Sequence, residues 1–114
     1  MDKIIKTKKG KITIAQERIT YDKYYEFLTR TDLGEQYPAE RFKERVTKLL
    51  KNIQISLTAR NEEKEIVGIC FGLTDYSYWL LITDLGIDRN YEKNGIGKEM
   101  MKQTDIEWTP FTVE

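Results

Sequence analysis

The sequence has no histidine and a single cysteine, Cys70, in 114 residues. Without histidine, Ser-His-Asp and Cys-His nucleophilic arrangements are excluded. With only one cysteine as well, a structural zinc site is excluded, so no metal is expected. A lone cysteine cannot close an internal disulfide, which suits a reducing compartment. No apolar stretch reaches the length of a membrane span, and the N-terminus lacks the apolar core of a signal peptide. The expectation is a cytoplasmic protein with no membrane partner. Net charge is also lacking, because 19 Lys and Arg balance 19 Asp and Glu. No overall field steers the chain to a phosphate backbone, so no nucleic-acid partner is expected. Acid–base work falls to carboxylates, tyrosines, lysines or water.

What remains is enough for one hydrophobic core, and residues 1–114 read as one domain without repeats or linkers. The basic run Lys3 to Lys11 reads as a solvated edge or a frayed end. Lys11 to Ala15 alternates as a half-buried strand does. Tyr21 to Thr31 sets Tyr21, Tyr24, Tyr25 and Leu28 on one helical face, with Gly34 as a stop. Pro38 suits the first turn of a second helix carrying Ala39, Phe42, Val46, Leu49 and Leu50. From Ile53 to Ala59 the period is two, which predicts a strand with one covered face. Ile66 to Leu73 and Trp79 to Ile87 are nearly continuous apolar runs, which predict central strands covered on both faces. Asp75 to Tyr78 is the turn between them. A last helix places Ile96, Met100 and Met101 on the core. The tail, Asp105 to Glu114, contains Pro110 and reads as an edge strand or an arm.

The informative segment is Asp84-Leu85-Gly86-Ile87-Asp88-Arg89-Asn90-Tyr91-Glu92-Lys93-Asn94-Gly95-Ile96-Gly97-Lys98. It is a strand, a short loop with two glycines, and a helix that begins inside the loop. Gly95 and Gly97 let the backbone come close to a ligand and take positive φ where required. The unpaired N–H groups of a first helical turn, with the helix dipole, suit a pyrophosphate. A tight strand-to-helix turn gives the same Gly-x-Gly pattern, so the glycines alone do not decide.

This segment resembles the acetyl-CoA signature of the GNAT N-acetyltransferase superfamily, in which glutamine or arginine stands three residues before Gly-x-Gly. Here Glu92 takes that first position, Gly95 and Gly97 are the glycines, and Lys98 follows. The resemblance extends to about Thr104. It implies an α+β fold of the three-layer type, with a mostly antiparallel mixed sheet and helices on both faces, and with the last helix and strands missing. It also implies transfer of acetyl from acetyl-CoA to a primary amine of a small molecule or peptide. Cofactor contacts would come from the main chain at Leu85, Gly86 and Ile87, and from Glu92, Lys93, Asn94, Gly95, Ile96, Gly97 and Lys98. Lys93 and Lys98 either touch phosphates or are solvated.

Asp84 is the carboxylate placed to handle the amine's proton; a strand-end carboxylate bonded to Thr83 or the backbone is the other reading. Cys70 reads as a core residue. Tyr24, Tyr25, Phe27 and Tyr37 lie in the helices that wall the acceptor site in the family; core packing accounts for most of them, and one or two could line a pocket. Tyr76, Tyr78 and Trp79 share this ambiguity. Two further readings are a non-catalytic acyl-CoA-binding or regulatory domain, and a truncated remnant. A sheet ending at the signature strand leaves an open edge, so a homodimer, or a tail covering that edge, is expected.

Overall fold

The lysine-rich start of the chain is a strand. In the computed structural model, which describes residues 2–108, β1 (Lys3–Thr7) pairs antiparallel with β2 (Gly10–Gln16). Its basic residues are the kind that guard a sheet edge against further pairing, which is why charge alone did not mark this segment as a strand. β3 (Ile55–Arg60), β4 (Ile66–Thr74) and β5 (Leu80–Ile87) follow, giving a sheet in the order β1-β2-β3-β4-β5. All four pairings are antiparallel.

Helices cover both faces. α1 (Tyr21–Leu28), a single-turn helix (Leu33–Gln36) and α2 (Phe42–Asn52) pack over one face around Tyr24, Phe27, Leu33, Val46, Leu50, Ile69 and Phe71. α3 (Ile96–Trp108) packs Ile96 and Met100 on the other, against Ile12, Ile14, Ile55, Leu57 and Cys70. Cys70 is buried, and burial pushes its thiol pKa up, so it is a core residue.

Several expectations are corrected. Phe27 is buried in α1, whereas Tyr25 is exposed, because α1 turns only one face to the core, with Tyr24 and Phe27 at its centre. α2 starts at Phe42 after Arg41 in the left-handed region, leaving Pro38 and Ala39 outside the helix. Met101 is largely exposed. β5 is an edge among the described residues, paired only with β4, and Leu81 on it is exposed. Residues 105–108 continue α3, so they form neither strand nor arm. Residues 109–114 of the expected tail lie outside the described residues.

β3 is buried on both faces, not one. Its polar face is admitted by hydrogen bonds: Ser56 donates to the Glu17 carbonyl (2.7 Å), and Thr58 donates to the Glu17 carboxylate (2.6 Å). Arg60 closes the cluster with two donors to the same carboxylate. Satisfied in this way, buried hydroxyls cost little.

The Arg60 guanidinium holds the Glu17 carboxyl below its ordinary pKa of 4.5, against the opposing effect of burial, with Thr58 adding to the lowering. A lowered folded-state pKa contributes stability above the unfolded value and loses it as pH falls through the folded value. Glu17→Gln should therefore melt at a lower temperature than the wild type near neutral pH. The gap should begin to narrow as pH falls below about 4.5 and close only below the lowered folded-state value, where the folded wild-type carboxylate is itself protonated. Thermal melts across that range test this, and a gap independent of pH would rule it out.

Candidate functional site

β5 meets both layers, and a β-bulge determines how. In the pairing with β4, Gly72 faces Ile82 and Phe71 faces Asp84, so Thr83 is an extra residue on β5. Side chains alternate along a strand, so one inserted residue reverses the facing of everything beyond it. Ile82 packs on the α3 side. Asp84, two residues later, lies opposite Phe71 on the α1 and α2 side, while Leu85 and Ile87 return to the α3 side.

Beyond Ile87 the chain turns through Asp88 and forms an open cleft of about 630 Å³. One wall is β5 at Leu85, Gly86 and Ile87, and the floor is Glu92, Lys93, Gly95, Ile96, Gly97 and Lys98 at the start of α3. The third wall comes from Thr31, Asp32, Leu33 and Gln36, with Tyr91 at the turn. Sequence reasoning did not assign these five residues. Tyr91 lies inside the informative segment, whereas the only signal for the other four is the short polar segment between the helices, and nothing in its spacing points to the signature loop. Asn94 is not part of the lining; its amide donates to the carbonyls of Tyr91 (3.1 Å) and Glu92 (3.0 Å) and so fixes the loop.

The glycines differ in what they do. Gly95 has φ +79°, and a Cβ built on it would meet nothing within 4 Å, so it combines a left-handed turn with open space. A Cβ on Gly97 would make ordinary 3.7 Å contacts with Leu85 and Ile87, so its neighbours could accept a methyl group. Gly86 is needed for close approach, because a Cβ there would lie 2.9 Å from Leu33 Cδ2. The first N–H groups of α3 have no partners within the helix and open on the loop side, with Lys93 and Lys98 nearby.

Asp84 is separate from this lining and is buried. The Tyr37 hydroxyl donates to its Oδ1 at 2.9 Å, and the Thr83 hydroxyl to its Oδ2 at 3.0 Å. Tyr24 and Tyr37 hydroxyls are 2.8 Å apart. Both phenols are pushed above their ordinary pKa, chiefly by burial. Of the aromatic residues expected to wall an acceptor site, Tyr37 therefore reaches Asp84, and Tyr24 stands behind it. Phe27 is core, and Tyr25 is at the surface.

Two arginines lock the third wall to the strand that faces it. Arg30, after α1, pairs with buried Asp88 and with Glu26; these carboxylates, Glu26 most, raise its pKa against the cost of burial. Arg89 pairs with Asp32, and its backbone N–H donates to the Arg30 carbonyl (3.0 Å). At the far end of the strand Tyr78 and Trp79 are exposed, away from the cleft residues.

No helix among the described residues is long and apolar enough to cross a membrane. No curated protein matches the sequence significantly. Solved structures are similar in fold. A Staphylococcus aureus protein described as a "Probable Acetyltransferase" superposes with a TM-score of 0.70 at 17% identity, covering 90% of this chain and 73% of its own. A GNAT-family acetyltransferase of Streptococcus pneumoniae gives 0.69 at 18% identity, with 87% and 69% covered. The ribosomal-protein-S18-alanine N-acetyltransferase of Escherichia coli gives 0.65 at 12%, with 85% and 59% covered. The model of the acetyltransferase (GNAT) family matches residues 20–105, from the cap of α1 into α3, and the chain belongs to that family.

Proposed function

We propose that this chain transfers the acetyl group of acetyl-CoA to a primary amine. The observation that carries the reading is the cleft formed where Leu85–Ile87 of β5 meets the start of α3 within the family match. The residues present fit the cofactor. Space above Gly95, the N–H groups of the first turn of α3, and Lys93 and Lys98 suit a pyrophosphate. Asp32 is neutralised by Arg89, which leaves Glu92, exposed, as the acidic group of the loop. The main chain of Leu85–Ile87 borders the same cleft and would align amides as an added strand does.

Acetyl-CoA supplies a thioester, whose carbonyl carbon bonds to the amine nitrogen as the carbon–sulfur bond breaks and CoA leaves with the bonding pair as its thiolate. In this reading Asp84 accepts the proton that the amine nitrogen must lose, through the lone pairs left on its carboxylate oxygens. The first probe of the acceptor is a peptide with a free N-terminal alanine, after the substrate named for the E. coli relative. Free Cys70 is compatible with a cytoplasmic enzyme.

Acetyl-CoA should raise the melting temperature of the wild type, because it binds the folded state alone. Gly95→Val should abolish that rise, whereas Gly97→Ala should keep it, since its methyl group packs on Leu85 and Ile87. An equal rise in all three proteins would place the ligand elsewhere.

Asp84→Asn should lower kcat by about 10²- to 10⁴-fold, the range for a lost general base, with acetyl-CoA affinity nearly unchanged. Wild-type turnover in this variant would remove Asp84 from the chemistry. Binding without turnover in the wild type would leave an acyl-CoA-binding module.

Self-association is part of the proposal. It is supported by the outer edge of β5, which has no neighbour strand among the described residues, and by exposed Leu73, Trp79 and Leu81. Light scattering should give a dimer mass, and Leu81→Lys should shift it to that of a monomer. A wild-type monomer would refute this part.

A further inference from the structure

We propose that Tyr37 is a positioning residue for acetyl transfer: its hydroxyl, held from behind by Tyr24, fixes the Asp84 carboxylate on the face of β5 opposite α3. The inference rests on the proposed role of Asp84 and adds the device that orients it.

The hydrogen bonds have only one workable direction. An ionised carboxylate is acceptor-only, so the single proton of Tyr37 goes to Asp84 Oδ1 at 2.9 Å. Tyr37 then has lone pairs left and no second proton. The 2.8 Å contact with Tyr24 must therefore be a donation from Tyr24. The chain runs Tyr24 to Tyr37 to Asp84, while Thr83, the bulge residue, donates to Oδ2 at 3.0 Å. Both carboxylate oxygens are thus oriented by separate donors on separate elements.

This chain is not a route for protons. Its far end, Tyr24, is fully buried against Phe27 and Phe71, and burial raises the pKa of both phenols. A proton taken by Asp84 has no exit through the tyrosines, and neither phenolate forms readily. What the pair contributes is orientation. The Tyr37 ring is itself held, edge-on to Tyr24 (6.5 Å) and to Phe42 (5.7 Å). The hydroxyl can therefore be removed with little change in ring packing.

Single removal leaves the Tyr24 hydroxyl buried without an acceptor, which costs stability for reasons unrelated to catalysis. The test therefore uses wild type, Tyr37→Phe, and Tyr24→Phe/Tyr37→Phe, which removes both hydroxyls and leaves no orphaned phenol, while Asp84 Oδ1 loses its donor in both variants. Melting temperature, acetyl-CoA affinity by calorimetry, and transfer from acetyl-CoA to an N-terminal-alanine peptide, Nα-acetyl-lysine amide and spermidine are measured for each. Tyr37→Phe should melt lower, with kcat down about 10- to 100-fold, the worth of one hydrogen bond to a charged group, and KM for acetyl-CoA within about twofold. The double variant should regain the part of the melting temperature that the orphaned Tyr24 hydroxyl cost, while kcat stays low. Turnover that recovers with stability, or Tyr37→Phe turnover within about twofold of wild type, overturns the inference and leaves the function of Asp84 standing. Wild-type transfer to none of the three amines overturns the acetyltransferase reading itself, and this inference with it.

Discussion

The extra residue at Thr83 is the constraint from which the arrangement of β5 follows. A strand offers each face every second side chain, and β5 must serve two unlike partners. Before the bulge, Leu80 and Ile82 pack toward α3. An unbroken strand would put Asp84 there too, opposite Cys70 in a mainly apolar cluster where a carboxylate is costly. The bulge turns it instead toward Tyr37, where donors are available. The same shift puts Gly86 under Leu33 and sends Leu85 and Ile87 to the α3 side. One inserted residue thus separates the carboxylate from the cleft lining and keeps both adjacent along a single strand.

A cleft needs two walls whose separation is fixed, and here ionic and backbone links fix it. The Arg30–Asp88 pair is the stronger, because Asp88 is buried and its other oxygen accepts from the Asn90 N–H at 2.8 Å. A buried charge left without its partner is costly, so this contact constrains where the turn after β5 can lie. Arg89 and Asp32 are exposed, so solvent screens the pair and it adds little stability. Its effect is local: it keeps the Asp32 carboxylate on the arginine and away from the loop floor. Gly86 sets the closest approach of the two walls, since Leu33 occupies the space where a side chain would stand.

The order of elements was legible in the sequence because most of it follows from period and punctuation. The switch from helical spacing before Leu50 to alternation after Ile53 predicted the change from α2 to β3, and the motif predicted the strand–loop–helix unit. What failed has physical causes. Lysines masked β1, since an edge strand is the one place where a basic run and a strand coincide. Ser56 and Thr58 looked solvent-facing, and only Glu17, distant in sequence, makes their burial acceptable. The continuous apolar character of Trp79–Ile87 predicts a central strand, although a bulged edge strand that packs toward α3 with both halves and lines a cleft at its end carries the same composition. Asp84 could be placed on β5 but not on a face, because a bulge leaves no mark in composition. Tyr37 could be assigned to a wall but not to a partner, because its hydrogen bond spans 47 positions.

Charge balance has a consequence for how the cleft would hold an anion. With 19 positive and 19 negative side chains the molecule has no long-range attraction to a polyphosphate. Recognition must be short-range. With Asp32 held by Arg89, the remaining charged lining residues are Glu92, Lys93 and Lys98, a small positive excess beside the N–H groups of α3. Exposed charges of this kind are screened within about 8 Å at physiological salt, whereas N–H groups that touch the ligand are not. Backbone geometry at Gly95, more than lysine charge, then governs whether a phosphate group can be held here. The loop is correspondingly built to fix its backbone: Lys93 and Gly95 both take positive φ, and the Asn94 amide, which could have faced the cleft, is tied back to the carbonyls of Tyr91 and Glu92.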